Sequence, residues 1–118
     1  IVNNEKYCGK ILYFIKGKRG SLHYHKIKDE CFYVQSGEAL LLWSDDLTAL
    51  NSLIENSNGI VNIHKPEDLC EKAILKKGDI FLIPPGRVHQ IIANTDVELF
   101  EFSTQDFVSD SYRLIKGD

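Results

Sequence analysis

Long hydrophobic runs, a signal peptide and a strong net charge are all missing from this sequence, and each absence narrows what the protein can be. No apolar run approaches the roughly 20 residues of a transmembrane helix, so we expect no membrane partner and a cytoplasmic location. The net charge of −3 gives no electrostatic reason to expect nucleic acid as a partner. The chain begins at Ile1 rather than Met, which leaves open a missing N-terminal piece.

Cysteine is also scarce, and the three that occur form no CxxC pair: Cys8, Cys31 and Cys70. An odd and widely spaced set is typical of reduced thiols in a cytosolic protein. The 118 residues suffice for one domain with a real core, and 43% of them are hydrophobic, as is normal for globular proteins. Because no repeat or linker is visible, we expect a single domain over residues 1–118.

What the sequence does contain is a series of short runs rich in apolar, β-branched and aromatic residues. Examples are KILYFIK, CFYVQ, DIFLIPP and VELFEF, each bounded by glycine, proline or other turn residues. Many short strands separated in this way predict an all-β antiparallel sandwich or barrel.

One segment, DDLTALNSLIENSNG, has helical rather than strand periodicity. Its apolar residues recur at helical spacing: Leu47, Leu50, Leu53 and Ile54. Asp45 or Asp46 is suited to cap the start of a helix and Gly59 to end it. We therefore expect a short helix embedded in the sheet protein.

Two histidines lie two residues apart in the segment GSLHYHKIKDE. If this segment is a strand, His23 and His25 project to the same face while Tyr24 points away. A glutamate follows and glycines flank the segment, so that residues 17–37 read G-x5-H-x-H-x4-E-x6-G. A buried imidazole without a partner costs free energy, so this arrangement favours a bound ligand.

A second string, G-x5-P-x-G-x2-H, begins at Gly78 and ends at His89. The two strings resemble the two signature motifs of the cupin superfamily and occur in the family's order, at 17–37 and 78–94. A lone H-x-H pair is a weak signal, but the glutamate, the glycines and the second motif make the resemblance specific. It spans about residues 11–103, and the predicted helix falls in an inter-motif insertion at about 45–65.

The resemblance implies a jelly-roll β-barrel, the double-stranded β-helix of the cupins, that holds one divalent transition metal. The implied ligands are His23, His25, Glu30 and His89. Residues i and i+2 of a strand lie about 7 Å apart, from which two imidazoles can converge on one ion. Three His and one Glu leave open positions on an octahedral ion, as in a catalytic site, and suit Fe, Mn, Ni, Co or Zn.

Four polar residues outside the implied ligand set also need an interpretation. We interpret His64, in the inter-motif segment, as a surface histidine, and Cys31 as pointing to the strand face opposite Glu30. Arg87 shares parity with His89, so it either reaches the barrel mouth to bind an anionic group or remains a solvated turn residue. Lys18 is another candidate for a phosphate contact, although its run KGKR is typical of a solvated loop.

The resemblance does not choose a reaction, because cupins include isomerases, dioxygenases and non-enzymatic binding proteins. The tail resembles that of mannose-6-phosphate isomerase-type cupins, in which an acidic segment precedes an arginine, here Asp110 and Arg113. This favours a metal-dependent isomerase of a sugar phosphate or nucleotide sugar, with Glu101 as a candidate proton shuttle. The alternatives are an Fe(II)-dependent dioxygenase and a non-enzymatic small-molecule or carbohydrate binding module. Small cupins commonly pair through an edge strand, so we expect a homodimer.

Overall fold

The computed structural model describes residues 1–50 and 65–118, and in these residues the chain forms two five-stranded antiparallel sheets. Sheet A has the order β1-β2-β9-β4-β7, with β1 Val2–Asn3, β2 Cys8–Phe14, β9 Val97–Ser103, β4 Glu30–Ser36 and β7 Ile80–Ile83. Sheet B has the order β10-β3-β8-β5-β6, with β10 Tyr112–Ile115, β3 Leu22–Tyr24, β8 Val88–Ala93, β5 Glu38–Ser44 and β6 Glu71–Lys76.

The strand order interleaves the two halves of the chain. In sheet A, β2 pairs with β9, and in sheet B, β3 pairs with β8, so early and late strands are neighbours in both layers. The predicted all-β jelly-roll fold is confirmed, as two packed sheets rather than a continuously hydrogen-bonded closed barrel.

The main core lies between the sheets. Alternate residues of β4 are buried, so that Phe32 and Val34 face the same side as Glu30, as their parity predicts. Other core members come from both sheets, including Leu41, Ile83, Val97 and Leu99. Each buried side chain of this size contributes about 1.5–3 kcal/mol, so this layer supplies the main stabilisation of the fold.

A second apolar cluster covers the outer face of sheet B. Leu22, Val88 and Leu114 project from three neighbouring strands and pack against Leu50. Leu50 belongs to a helical stretch at residues 47–50. The outer face of sheet B is therefore shielded at β10, β3 and β8 by part of the inter-motif insertion.

The helical stretch at 47–50 agrees with the start of the predicted helix. The Asp46 carboxylate accepts a hydrogen bond from the Ala49 backbone N–H at 3.1 Å, which is the predicted cap. The rest of that helix, including Gly59, lies outside the described residues. A short helix, α1 (Pro66–Leu69), and a 3-10 helix, Val108–Asp110, complete the described helices, none of which is long and apolar enough to cross a bilayer.

Candidate metal centre

The structure brings the three motif histidines together between the two sheets. His23 on β3 lies directly opposite His89 on β8 in the strand register, and His25 follows immediately after β3. One nitrogen from each ring lies within 4.8 Å of the other two. His25 and His89 are buried and His23 is half-buried. Three imidazoles at this distance can bind one ion in common.

Each of the three rings is anchored through its Nδ1 atom. Nδ1 of His25 lies 2.9 Å from the Asp110 carbonyl oxygen, and Nδ1 of His89 lies 3.0 Å from that of Arg87. Nδ1 of His23 lies 3.1 Å from the Ser21 carbonyl oxygen and 2.9 Å from its hydroxyl. Because a carbonyl can only accept, these contacts assign the proton to Nδ1 and leave the Nε2 lone pair free. This is the usual state of a metal-ligating histidine.

Glu30, the first residue of β4, presents its carboxylate to this cluster. Its Oε1 lies 3.1 Å from Nε2 of His89, and its Oε2 lies 4.0 Å from Nε2 of His25. Glu30 Oε1 and His89 Nε2 are buried, and with the His89 proton on Nδ1 neither has a hydrogen-bond donor among the described residues. Such atoms cost about 1–3 kcal/mol each when they remain unsatisfied. The donor set therefore fits a divalent transition metal.

A buried lysine borders the same carboxylate. Nζ of Lys28 lies 2.8 Å from Glu30 Oε2, 3.0 Å from Glu101 Oε2 and 3.4 Å from Asp106 Oδ1. Only 4% of Lys28 is exposed, although lysine is almost never buried without a charged partner. Sequence reasoning missed Lys28 because it lies at an unspecified position between His25 and Glu30 in the first motif.

The electrostatics of the cluster follow from burial and from these close charges. Burial, reinforced by the nearby His89, lowers the pKa of His23 to about 4, which keeps its ring neutral near pH 7. Burial raises the pKa of Glu30, but the Lys28 ammonium at 2.8 Å outweighs it, so the net shift is downward. Burial lowers the pKa of Lys28. The carboxylates of Glu30 and Glu101 raise it by more than burial lowers it, so the net shift is upward. The neutral imidazole and ionised carboxylate are the forms that bind a metal.

Asp110 holds the loop between His25 and Glu30 in place. Its buried carboxylate accepts backbone hydrogen bonds from Lys26, Ile27 and Lys28 at 2.9–3.2 Å. Burial raises the pKa of Asp110, but these N–H donors outweigh it and give a net lowering. Asp110 also supplies the carbonyl that anchors His25, so one residue positions both sides of the site. The sequence indicated Asp110 only as part of an acidic tail.

Two neighbouring cavities, which share some of their lining residues, border the histidines. The inner cavity, of about 190 Å³, is lined by His23, Glu30, His89 and Glu101 together with apolar side chains such as Phe32. The outer one, of about 590 Å³, shares His23 and Glu101 with it and opens to the surface. Further residues line the outer cavity: His25, Lys28, Phe107, Val108 and Arg113. A small molecule can therefore reach the histidines from solvent.

The other residues singled out from the sequence differ in their position relative to these cavities. Glu101 lines both cavities, but its carboxylate is paired with Lys28. Arg87 does not line either cavity; its guanidinium donates to both oxygens of Asp45, at 2.9 and 3.0 Å. Lys18 lines a separate surface depression that also includes Arg113. His64 lies outside the described residues.

The family of the chain follows from comparison with known proteins. A family model described as Cupin matches residues 19–113, which is most of the sequence. The chain therefore belongs to the cupin family, as the motif spacing predicted. No curated protein sequence matches it significantly.

Solved structures similar to this chain share its fold at low sequence identity. KdgF from Halomonas sp. has a TM-score of 0.66 at 17% identity, over 92% of this chain and 77% of that one. Oxalate decarboxylase from Bacillus subtilis has a TM-score of 0.69 at 18% identity, over 93% of this chain and 24% of that one. The capsular polysaccharide assembling protein CapF from Staphylococcus aureus has a TM-score of 0.67 at 19% identity, over 94% and 27% of the two chains. This chain thus spans about a quarter of the latter two, and the likeness concerns the fold.

Proposed function

We propose that the chain binds one divalent transition metal through His23, His25, Glu30 and His89 and uses it to hold a small molecule. The observation that carries this proposal is the orientation of the rings. Each Nδ1 is taken by a backbone carbonyl, and the Nε2 atoms of His25 and His89 face the buried carboxylate of Glu30, whose Oε1 has no hydrogen-bond donor among the described residues. The family and its motif spacing support the same ligand set.

The proposed ligand is a small anionic molecule with neighbouring hydroxyl and carbonyl oxygens. The outer cavity contains Arg113, which lies opposite His23 in the strand register and forms no ion pair within residues 1–50 and 65–118. Its planar guanidinium is suited to a carboxylate or phosphate. A sugar phosphate meets both requirements, since its hydroxyls can approach the histidines while its phosphate approaches Arg113.

The proposed reaction is an isomerisation by proton transfer between neighbouring carbons. A bound divalent ion supplies Lewis acidity for a carbonyl and its adjacent hydroxyl. Glu101 is the proposed proton shuttle, because its carboxylate lines the same cavities as the histidines. Lys28 holds that carboxylate at 3.0 Å and so fixes its direction. Phe32 and its apolar neighbours exclude bulk water from the inner cavity.

Metal binding is the first test of this proposal. Elemental analysis of protein purified without added metal, followed by titration with Mn²⁺, Co²⁺, Ni²⁺ and Zn²⁺, is expected to give one ion per chain. The His23→Ala/His25→Ala double variant is expected to bind little metal. A matched control, His64→Ala, removes a histidine outside the motifs and is expected to retain full binding. Near-stoichiometric metal in the double variant would exclude the proposed site.

The reaction class needs a separate experiment. Under anaerobic conditions in D₂O, the metal-loaded protein is expected to convert an aldose or ketose phosphate and to introduce solvent deuterium at the carbon next to the carbonyl. The Glu101→Gln variant is expected to bind metal but to lose deuterium exchange. Consumption of oxygen when the substrate is added under aerobic conditions would instead indicate an Fe(II) dioxygenase. Ligand binding without turnover would indicate a binding module.

A further inference from the structure

The outer face of sheet A is apolar and uncovered, in contrast to that of sheet B. Outward positions on β2, β9, β4 and β7 carry Ile11, Tyr13, Phe100, Phe102, Cys31, Tyr33, Ile80 and Leu82, which we call the sheet A face. Strand register makes the face continuous: Ile11 lies opposite Phe100, Phe100 opposite Tyr33, and Tyr33 opposite Ile80. A solvated antiparallel sheet normally alternates apolar-in with polar-out, and this one does not.

The size of the face is that of a docking surface. Five of its residues are more than half exposed: Ile11, Tyr13, Ile80, Leu82 and Phe102. Since an aromatic side chain offers roughly 150–250 Å², these five present on the order of 500 Å² of apolar area. Monomers rarely expose contiguous apolar patches beyond about 300–600 Å², and a partner in a stable complex buries about 800 Å². The face therefore supplies over half of an interface before its rim is counted.

We propose that the sheet A face docks against the same face of a second copy of this chain. In a two-fold interface each residue meets the same surface of its partner, so like charges on the face would be brought together. Among the outward positions of β2, β9, β4 and β7, Glu98 is the one charged residue, so self-docking carries little repulsion. Because the sheet A face carries so little charge, it cannot select a charged partner by electrostatic attraction. Docking of a second copy requires only that the two apolar faces meet.

Two of the four edge strands, β6 and β1, are poorly suited to pairing. The edge strand β6 exposes Glu71, Lys72 and Lys76, and charged side chains on an edge oppose strand addition. The edge strand β1 contains two residues and offers few backbone groups. The structure thus disfavours edge-strand pairing through β6 or β1.

Two isoleucines of nearly equal exposure provide a matched test. Ile11 on the sheet A face is 55% exposed and Ile74 on β6 of sheet B is 59% exposed. By sedimentation equilibrium from 1 to 100 µM, the wild type is expected at twice its chain mass of 13.5 kDa. Ile11→Lys is expected to weaken dimerisation by roughly 100-fold or more, because each dimer would bury two unpaired ammonium groups. Ile74→Lys is expected to remain dimeric.

Two outcomes would overturn this proposal. One is a wild type that sediments at 13.5 kDa throughout the concentration range. The other is a dimer that Ile11→Lys leaves intact, whatever the effect of Ile74→Lys. Circular dichroism of each variant verifies its fold, and Leu82→Lys at the opposite side of the face gives an independent substitution with the same expected effect as Ile11→Lys.

Lys28 supports a second inference, which rests on the proposed metal site. Its ammonium lies 2.8 Å from Oε2 of Glu30, while Oε1 lies 3.1 Å from Nε2 of His89. One oxygen of the carboxylate therefore faces an internal cation and the other faces the histidines. We propose that Lys28 restrains Glu30 to act as a ligand through Oε1 alone and weakens the attraction of the site for a metal cation.

Metal affinity distinguishes this role from a purely structural one. Removing a positive charge next to the site and freeing Oε2 is expected to tighten Zn²⁺ binding by at least roughly tenfold in Lys28→Met. The visible spectrum of the Co²⁺ form is expected to change, because a second carboxylate oxygen becomes available. A structural lysine would do the opposite, since its loss would loosen the site and weaken binding. Lys72→Met, which removes an exposed lysine on β6, is the matched control and is expected to leave both readouts unchanged.

The double variant Lys28→Met/Glu101→Gln guards against misfolding, because it removes one buried cation together with one anion. It is expected to show the same tighter binding and altered Co²⁺ spectrum. Unchanged or weaker binding in both variants, with wild-type metal binding intact, would overturn the role of Lys28 alone. A wild type that binds no metal would overturn the proposed function as well.

Discussion

Two polar clusters lie side by side in the interior and share the carboxylate of Glu30. On one side, one ring nitrogen from each of His23, His25 and His89 lies within 4.8 Å of the other two. On the other side, Lys28 supplies a covalently attached cation within 2.8–3.4 Å of three carboxylates. Both clusters place charge in a low-dielectric interior, where a charged group must be paired. The lysine side is paired whenever the protein is folded, whereas the partner of the histidine side would be the proposed metal ion.

The lysine side is expected to respond most strongly to mutation. Breaking a buried ion pair by removing one partner costs about 3–5 kcal/mol, because the remaining charges are left uncompensated. Lys28→Met is expected to lose this much stability without metal, as measured by urea unfolding. The double variant with Glu101→Gln is expected to lose less. Equal losses in the two variants would show that the uncompensated Glu101 carboxylate is not the source of the cost.

The histidine side is expected to gain its stability from metal. An ion present at a thousandfold excess over its dissociation constant adds about 4 kcal/mol if it binds only the folded state. For a domain of this size, stripping the ion is expected to lower the melting temperature by roughly 10–20 °C. Thermal unfolding with and without chelator measures this shift, and the His23→Ala/His25→Ala variant should show almost none. A shift in the wild type below about 2 °C would contradict it.

Asp110 connects the two sides, and its removal is expected to have an intermediate effect. Asp110→Asn weakens the acceptor for three backbone N–H groups, which should cost about 1–3 kcal/mol. The pKa of Asp110 in the folded protein lies below its ordinary value of 3.8. The stability that ionised Asp110 contributes is therefore complete above pH 3.8 and is lost as the pH falls below that value. Urea unfolding from pH 7 to pH 3 is expected to show a steeper loss for the wild type than for the variant. Parallel curves would contradict this assignment.

The smallest effect is expected at Arg87, which lies outside both clusters. Its ion pair with Asp45 is largely exposed on the Asp45 side, and such pairs contribute below about 1 kcal/mol. Arg87→Ala is therefore expected to change stability little and to leave metal affinity unchanged, because only its backbone carbonyl contacts His89. A large loss of metal affinity in a calorimetric titration would show that Arg87 does contribute to the candidate site.

The sequence predicted the histidine side because local geometry connects its residues to the motif. The period of two along a strand places His23 and His25 on one face, and the glycines and prolines of the second motif lead to His89. Gly86 has a φ of +87°, and its N–H donates to the His25 carbonyl, which links the two motifs directly. The residue types and spacing of the motifs can be read without knowing the fold, whereas the hydrogen bond between Gly86 and His25 is seen only in the structure.

Which outer sheet face is covered and which is exposed to solvent could not be predicted in the same way. Strands such as CFYVQ and VELFEF carry apolar side chains on both faces, so alternation does not indicate which face is covered. Only the packing of Leu50 on Leu22 and Val88 shows that the outer face of sheet B is shielded. Ile11 and Leu82 on sheet A remain more than half exposed, although their sequence context is equally apolar.

By itself, the sequence determined the class of fold, the cupin motifs and the set of histidines and glutamate, because each depends on short-range spacing and residue chemistry. The tertiary structure alone decided that Lys28 is buried beside Glu30. A lysine between two motif positions is normally solvated, and nothing local distinguishes this one. Its partners Glu101 and Asp106 lie more than 70 residues away along the chain. They meet it only because β4 and β9 are neighbours in sheet A, and contacts of that range are set by topology.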